Sequence, residues 1–204
     1  ALCELTSMVK VDLIVSPEWN AETLLFARRR QRAPLVIVLS GGTCLLREHD
    51  GLRTTASWLL DRLEAALIRR ADRLTAMSQP MAQSSARRYG VALERITAIP
   101  NGVDVTRFCP NGAAAETGAP IVLFVGRLER LKGVEVLARA IPLVLQRCPK
   151  ARFQLVGKDL PWPGSNQMAS AHLAQVMGDA ARTHVTFEPP LPHEALVSRY
   201  QHST

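Results

Sequence analysis

The segment from Ile121 to Gly133 constrains the fold of this chain of 204 residues more than any other. It begins with five apolar residues, Ile121–Val125, which predict a strand buried on both faces. Gly126 ends the strand, and Gly133 opens a helix over 134–147 with apolar residues near helical spacing. The segment therefore predicts a strand, a short loop and the start of a helix.

Two basic side chains, Arg127 and Lys132, lie in the loop between this strand and helix. The start of a helix offers unpaired N–H groups and a partial positive charge. Fixed cations beside it suit a phosphate or a diphosphate. Most strand–loop–helix junctions bind nothing, however, and most loop cations are simply solvated. The pattern alone leaves both interpretations open.

Alternating strand and helix patterns run along the chain and predict α/β layers with mostly parallel sheets. Pro17 is expected to stop the first strand, and Pro142 to kink or shorten its helix. The segments Gly126-Arg127, Gly157-Lys158 and Glu188 follow predicted strands, so they should converge on one crevice. Strands are predicted over 9–15, 35–39, 73–77, 95–99, 121–125, 151–156 and 185–187, and helices over 21–31, 54–70, 81–89, 134–147, 168–182 and 194–200. The helix over 54–70 should bury one face formed by Trp58, Leu59, Leu63, Ala66 and Leu67.

Charge and cysteine usage restrict the class of protein. The net charge is +7, and arginines cluster at 28–32, 69–73 and 87–88, which indicates solvated helix ends or contact with an anionic membrane surface. With 5% aromatic residues and no nucleic-acid motif, no nucleic-acid partner is expected. No apolar run approaches the length that crosses a bilayer. The isolated cysteines Cys3, Cys44, Cys109 and Cys148 predict reduced, mostly buried thiols in a cytosolic protein and no zinc site.

The motif Gly126-Arg127-Leu128, followed by Lys132-Gly133, resembles the donor-site signature of retaining GT-B glycosyltransferases of family 4. Upstream, Ile99–Phe108 resembles the "PNGVD…F" segment between the two domains of that family, and Phe153–Gly157 resembles its next strand. The resemblance implies an α/β chain of GT-B type with two Rossmann-like domains, both incomplete in this chain. Residues 1–112 would form part of an acceptor-side domain, and 113–204 the first half of a donor-binding domain.

The same resemblance implies roles for residues of the donor side. Arg127 and Lys132 would hold the diphosphate of a nucleotide sugar. Lys158 and Asp159 stand where the family often has a second glycine, and Glu188 stands where it usually has a glycine that lines the base pocket. The donor-pocket loops would be built around Gly126, Gly133, Gly157 and Glu188.

On the acceptor side, the resemblance singles out the turn at Gly41 and Gly42, where the backbone could approach an acceptor. Equally, these glycines could serve only to make the turn. Ser40 stands where the family often has a histidine near the reacting sugar, and His49 is a nearby substitute. These two residues are the only catalytic candidates, because the glutamate pair spaced E-x7-E that the family carries does not occur after Gly133.

The function that follows is transfer of a sugar, with retention, from a nucleoside-diphosphate donor to a hydroxyl group of a saccharide or lipid-linked acceptor. The family needs no bound metal or other cofactor, and the setting would be cytoplasmic or membrane-peripheral. The 204 residues alone are expected to fold poorly or to transfer no sugar. A non-catalytic nucleotide-binding or interaction module and a sugar-nucleotide epimerase remain the alternatives.

Overall fold

A computed structural model describes residue 4 and residues 8–42, 55–110 and 119–203. The chain divides into two compact units, Ala1–Gly102 and Val103–Thr204. The boundary between them lies earlier than the predicted division after residue 112. One reason is that Phe108 packs its ring edge-on against His193 and Tyr200 of the second unit, with centroids 5.3 and 5.7 Å apart. Residues 111–118, the rest of the predicted linker, lie outside the described part.

The first unit contains a parallel sheet with the strand order β1-β2-β3-β4. Its register pairs Ile14 with Leu35, and Leu74 with both Ile37 and Ile96. The elements are β1 (Ile14–Pro17), α1 (Leu24–Ala27), β2 (Leu35–Leu39), α2 (Thr55–Arg70), β3 (Arg73–Ala76), α3 (Gln79–Tyr89) and β4 (Ile96–Ala98), with short 3-10 turns at Trp19–Ala21 and Leu93–Arg95.

The core of the first unit follows from the alternation of side chains along β2. Leu35, Ile37 and Leu39 are buried, and Leu67 and Ile68 of α2 join the same core. The predicted apolar face of α2 was partly wrong, because Trp58 and Leu59 are exposed. The face that is fully buried includes a charged residue, Glu64, together with Leu67 and Ile68.

Two predictions near the start of the chain are corrected. The first strand covers Ile14–Pro17 rather than 9–15, and Pro17 belongs to it. This is consistent with β1 lying at the edge of the described sheet, where a missing N–H is tolerated. The helix predicted over 21–31 is reduced to Leu24–Ala27. Its start is delayed because Asn20 and Ala21 have positive φ angles of 53° and 50°, which interrupt the helical backbone.

Helix α3 begins at Gln79, two residues before the predicted start, and ends at Tyr89 as predicted. The Ser78 hydroxyl caps its start by accepting a hydrogen bond from the Met81 amide at 3.3 Å, and Pro80 lies in the first turn. Gly90 ends the helix in the left-handed conformation at φ 63°.

The second unit contains a three-stranded parallel sheet with the order β5-β6-β7. Its core includes Val134, Ile141, Phe153, Leu155 and Leu173. The elements are β5 (Ile121–Val125), a 3-10 turn (Arg130–Lys132), α4 (Val134–Arg147), β6 (Arg152–Val156), α5 (Ala169–Met177), α6 (Asp179–Arg182), β7 (Val185–Glu188) and α7 (His193–Gln201).

Other predictions for the second unit also change. Helix α4 continues through Pro142 to Arg147 and is not shortened. Proline removes one hydrogen bond, and the buried face of Val134, Ala138 and Ile141 continues up to that position. The helix predicted over 168–182 is divided at Gly178, which has a φ of 79°.

Burial in the second unit differs from expectation at two places. All five residues of β5 are half-buried rather than buried on both faces, because β5 lies at the edge of the described sheet. Cys109 is exposed and Cys148 is half-buried, so the expectation of buried thiols fails for Cys109. Cys3 and Cys44 lie outside the described residues.

Candidate functional site

The loops that follow β5, β6 and β7 meet at the carboxyl edge of the second sheet. The Gly126 amide donates to the Val156 carbonyl at 2.9 Å, and the Gly157 amide donates to the Glu188 carbonyl at 3.0 Å. Gly126, Gly157 and Glu188 are thus brought together, as expected for loops at one edge of a parallel sheet.

Gly157 lies against the backbone of the neighbouring loop. A Cβ atom at Gly157 would lie 1.8 Å from the Gly126 carbonyl oxygen, closer than any side chain permits. The Leu128 amide donates to the Lys158 carbonyl at 2.9 Å, which joins the same two loops further along. Glycine at position 157 is therefore required by the close approach of two backbones.

Arg127 and Lys132 both have exposed side chains in the loop between β5 and α4. The Arg127 Nη2 atom lies 2.9 Å from Glu129 Oε1, and the Glu129 side chain is 20% exposed against 57% for Arg127. For Lys132 the described residues supply no ion pair. Gly133, at φ 69°, begins α4 without a side-chain cap. Two cations therefore lie in the loop that leads to a helix start whose first amides have no capping side chain, an arrangement that suits an anion.

Asp159, one of the two residues that replace the family's second glycine, caps the start of helix α5. The Asp159 carboxylate accepts hydrogen bonds from the Ser170 amide at 3.0 Å and from the Ser170 hydroxyl at 2.6 Å. Ser170 lies in the first turn of α5, which has no cap from its own N-cap residue, Met168. Asp159 therefore acts as a cap supplied by the preceding loop.

Glu188 is held by an ion pair. Its Oε2 atom lies 2.6 Å from Arg199 Nη2 of α7, and its side chain is 17% exposed. Arg199 also donates to the Gln154 side chain at 3.4 Å. In this arrangement the Glu188 carboxylate is occupied by a neighbour in its own unit.

The first unit has a corresponding pair of loops after β1 and β2. Glu18 follows β1 directly and is fully buried. Its Oε1 atom accepts hydrogen bonds from the amides of Ser40, Gly41 and Gly42 at 2.7, 2.8 and 2.6 Å. Gly41 and Gly42 have φ angles of 121° and 66°, so the turn needs glycine. The predicted acceptor-side loop is thus built around a buried carboxylate.

A second buried carboxylate, Glu64 of α2, lies on the other side of this turn. Its Oε1 atom accepts from the Asn20 amide, and its Oε2 atom accepts from the Tyr89 hydroxyl, both at 3.1 Å. Burial raises the pKa of the Tyr89 phenol far above its usual value, and the negative charges of Glu64 and Glu18 add a smaller increase. Tyr89 is therefore a neutral hydrogen-bond donor at any physiological pH.

Sequence reasoning missed both glutamates, although two signals were available. Glu18 directly follows Pro17, the residue expected to stop the first strand, and ligand-binding side chains concentrate after strand ends in parallel sheets. Glu64 occupies a helical position between apolar residues that face the core, where an unpaired charge would be costly. Of the two catalytic candidates, Ser40 belongs to this network, whereas His49 lies outside the described residues.

The predicted arginine clusters are only partly solvated. A cleft of about 680 Å³ lies between α2 and α3. In it, Arg88 forms a bidentate pair with Asp61 at 2.9 and 3.0 Å, and Arg62 lies over the Trp58 ring at 4.5 Å. The cleft is lined by Trp58, Asp61, Arg62, Ala65, Arg69, Arg87, Arg88, Tyr89 and Gly90. Arg28, Arg29 and Arg30 are exposed, whereas Arg32 pairs with Asp72.

Two kinds of feature are absent from the part of the chain that the structure describes. No group of three or more histidine, cysteine, aspartate or glutamate side chains in that part of the chain could hold a metal ion. None of the helices described there combines the length and apolar character required to cross a membrane.

Comparison with known protein families identifies the chain. A model described as a glycosyl transferase 4-like domain matches residues 1–102, and one described as glycosyl transferases group 1 matches residues 119–203. The chain belongs to the GT-B glycosyltransferases of family 4. The recognition made from the Gly126–Gly133 motif is thereby confirmed.

Named relatives are about one third identical to this glycosyltransferase chain over the residues that align. The D-inositol 3-phosphate glycosyltransferase of Nocardia farcinica is 32% identical over 204 residues, which cover 93% of this chain and 44% of the relative. The protein of the same name from Kribbella flavida is 31% identical over 207 residues, covering 93% and 47%. The chain thus spans less than half the length of these relatives.

Solved structures agree on the fold. Sucrose-phosphate synthase from Thermosynechococcus elongatus superposes with a TM-score of 0.75 at 22% identity, covering all of this chain and 51% of that one. Anabaena HepE, solved in complex with UDP, gives a TM-score of 0.69 at 20% identity, covering 96% and 53%. The predicted GT-B fold class is therefore confirmed.

Proposed function

We propose that the complete protein containing this chain transfers a sugar from a nucleoside-diphosphate donor to a hydroxyl group of an acceptor, with retention of configuration. Family membership supports the reaction class. The observation that carries the proposal is the pair of exposed cations, Arg127 and Lys132, in the loop that leads from the carboxyl end of β5 to the uncapped start of α4.

In this proposal the second unit stabilises the leaving diphosphate. The bond between the anomeric carbon and the diphosphate oxygen breaks, and a bond to the acceptor oxygen forms on the same face of the sugar. Negative charge grows on the diphosphate, where Arg127, Lys132 and the first amides of α4 would lie ready to balance it. Fixed positive groups suffice for this task, so the proposal needs no metal ion.

In the first unit, Ser40, Gly41 and Gly42 would form the loop that meets the acceptor. The two named relatives act on D-inositol 3-phosphate, which gives a first acceptor to test, alongside saccharides and lipid-linked acceptors. We place the reaction in the cytoplasm. Exposed arginines such as Arg28, Arg29 and Arg30 support peripheral association with an anionic membrane.

The test uses the full-length protein and three single variants, Arg127→Ala, Lys132→Ala and Arg130→Ala. Arg130 is an exposed cation of the same 3-10 turn and serves as the matched control. Removing one charge that stabilises the transition state should lower turnover about 100-fold or more. We expect this loss for Arg127→Ala and Lys132→Ala, together with weaker UDP binding, and near wild-type values for Arg130→Ala. If Lys132→Ala turned over as fast as wild type, the assignment of Lys132 to the donor site would be contradicted.

A second candidate is a nucleotide-binding module without catalytic activity. The ion pair between Glu188 and Arg199 supports it, because a carboxylate tied to Arg199 occupies the position where the family usually has a small glycine. Calorimetry with UDP and a screen of nucleoside-diphosphate sugars separate the two functions. A module would bind UDP without releasing it from any sugar donor, whereas a transferase would do both.

A further inference from the structure

The turn after β2 forms an anion-binding nest that a side chain of the same unit already fills. Three successive amides, from Ser40, Gly41 and Gly42, point at one carboxylate oxygen of Glu18 at 2.6–2.8 Å. Successive backbone N–H groups arranged in this way are a recurrent binding site for anions. The position of the turn therefore depends on the charge of Glu18.

The second carboxylate oxygen of Glu18 orients the one hydroxyl in the turn. The Ser40 Oγ atom donates to Glu18 Oε2 at 3.3 Å. A serine hydroxyl has one proton and two acceptor lone pairs. With the proton committed to Glu18, the lone pairs of the half-buried Ser40 oxygen can accept a hydrogen bond from an incoming hydroxyl group.

The opposite side of the turn is equally constrained. A Cβ atom at Gly42 would lie 2.2 Å from the Tyr89 hydroxyl oxygen and 2.8 Å from Glu64 Oε2. Tyr89 is itself held by its hydrogen bond to Glu64. The turn is therefore packed between Glu18 on one side and the Glu64–Tyr89 pair on the other.

We propose that Glu18 is a positioning residue for the acceptor: its buried carboxylate fixes the Gly41–Gly42 turn and aims the Ser40 oxygen at the acceptor hydroxyl. This inference rests on the proposed transferase function and adds a residue outside the donor site. Glutamine has the size of glutamate, but its neutral amide oxygen is a weaker acceptor for the three amides. Its NH2 group would also donate to Ser40, which reverses the hydrogen bond that orients the hydroxyl. A neutral residue at position 18 should therefore release the turn even where it fills the space.

The first experiment compares full-length wild type with Glu18→Gln and with Glu22→Gln, an exposed carboxylate in the same segment. Three quantities are measured: UDP affinity by calorimetry, UDP release from a nucleoside-diphosphate sugar with D-inositol 3-phosphate as the acceptor probe, and hydrogen–deuterium exchange of residues 40–42. Misplacement of a reacting group by about 1 Å costs on the order of 100-fold in rate. We expect Glu18→Gln to lose acceptor-dependent turnover about 10- to 100-fold and to expose the turn to exchange, with UDP affinity unchanged. Glu22→Gln should match wild type.

Chemical rescue distinguishes a role in positioning from one in packing. Glu18→Ala leaves space beside three unpaired amides, so added acetate should occupy the nest and restore turnover and protection of residues 40–42. Chloride at the same ionic strength should not restore turnover of Glu18→Ala. Acetate should not restore turnover of Glu18→Gln, because the glutamine side chain fills the space. Absence of acetate rescue in Glu18→Ala would contradict the proposal.

The outcomes separate this inference from the function on which it rests. A wild-type protein that binds neither UDP nor any other nucleoside diphosphate would overturn the proposed function. A wild type that binds UDP, combined with unchanged exchange of residues 40–42 in Glu18→Gln, would overturn the role of Glu18 alone. Loss of UDP affinity in Glu18→Gln along with turnover would indicate a general structural defect and would also overturn it.

Discussion

At the scale of single residues, the contact between Gly126 and Gly157 shows how little space separates the loops of the proposed donor site. The two backbones touch where β5 and β6 end, and no side chain fits between them. The same approach lets the Leu128 amide reach the Lys158 carbonyl. The position of Arg127, between these two contacts, therefore depends on a glycine 30 residues away in the sequence.

The substitution Gly157→Ala tests this dependence. The new Cβ would collide with the Gly126 carbonyl oxygen, so the loops must separate, at a cost of about 2–3 kcal/mol in the free energy of unfolding. UDP affinity should fall as well, because Arg127 moves with its loop. Urea unfolding and calorimetry measure the two effects. Gly102→Ala, where a Cβ meets no atom within 4 Å, is the control and should change neither.

The residues of the site differ in how far the sequence could predict them. Arg127 and Lys132 lie in a local motif, so pattern and family resemblance were enough to select them. Glu18 and Glu64 could not be assigned in the same way, because their roles depend on amides and a hydroxyl group from distant segments. Ser40 was selected on the resemblance alone, and its hydroxyl contact with Glu18 needed the structure.

At the scale of elements, Asp72 links β2 to the segment that enters β3. Its carboxylate accepts from the Arg32 guanidinium and, at 2.7 Å, from the Leu35 amide. The Asp72 amide donates back to the Leu35 carbonyl at 3.0 Å. These hydrogen bonds hold the pKa of the Asp72 carboxyl below its usual value, and the bond from Arg32 has the largest effect.

The lowered pKa predicts a pH-dependent contribution to stability. A carboxyl group with a depressed pKa in the folded state stabilises the fold above its unfolded pKa, and the stabilisation is lost as pH falls through the folded pKa. Asp72→Asn should therefore be less stable than wild type at pH 7, by at most about 1 kcal/mol because the side chain is half exposed. The difference should shrink as pH falls below about 4. Urea unfolding across this range measures it, and a pH-independent difference would contradict the assignment. The exposed Asp12→Asn is the control.

Elements whose boundaries are set locally were predicted well. Strands β2 and β5 and helix α4 have the predicted bounds, because apolar runs and helical spacing determine them. The bounds of helix α1 were predicted wrongly, because the left-handed backbone at Asn20 and Ala21 overrides a helical pattern. The Asn20 amide bonds to Glu64, 44 residues away, and such a contact has no local signal.

At the scale of the whole molecule, the chain carries two separate hydrophobic cores. In the first unit, Leu35, Ile37 and Leu39 of β2 pack with Leu67 of α2. In the second unit, a different set that includes Ile141 packs against β6. The two sets share no residue. Each unit therefore has the means to hold its own fold, which agrees with the family models that match residues 1–102 and 119–203 separately.

Separate cores predict separate responses to core substitutions. Ile37→Ala and Ile141→Ala each remove buried methyl groups from a fully buried position, which should cost about 2–5 kcal/mol in the unit concerned. Hydrogen–deuterium exchange of the full-length protein should then rise across residues 8–42 and 55–102 for Ile37→Ala, and across residues 103–110 and 119–203 for Ile141→Ala, because protection follows the stability of each cooperative unit. Val136→Ala is the control. Val136 lies on the same helix as Ile141 but is 72% exposed, so the substitution removes apolar atoms without leaving a cavity. If exchange rises in both units for either substitution, the two units unfold as one cooperative body. A substitution of Glu18 could then weaken UDP binding through lost stability alone.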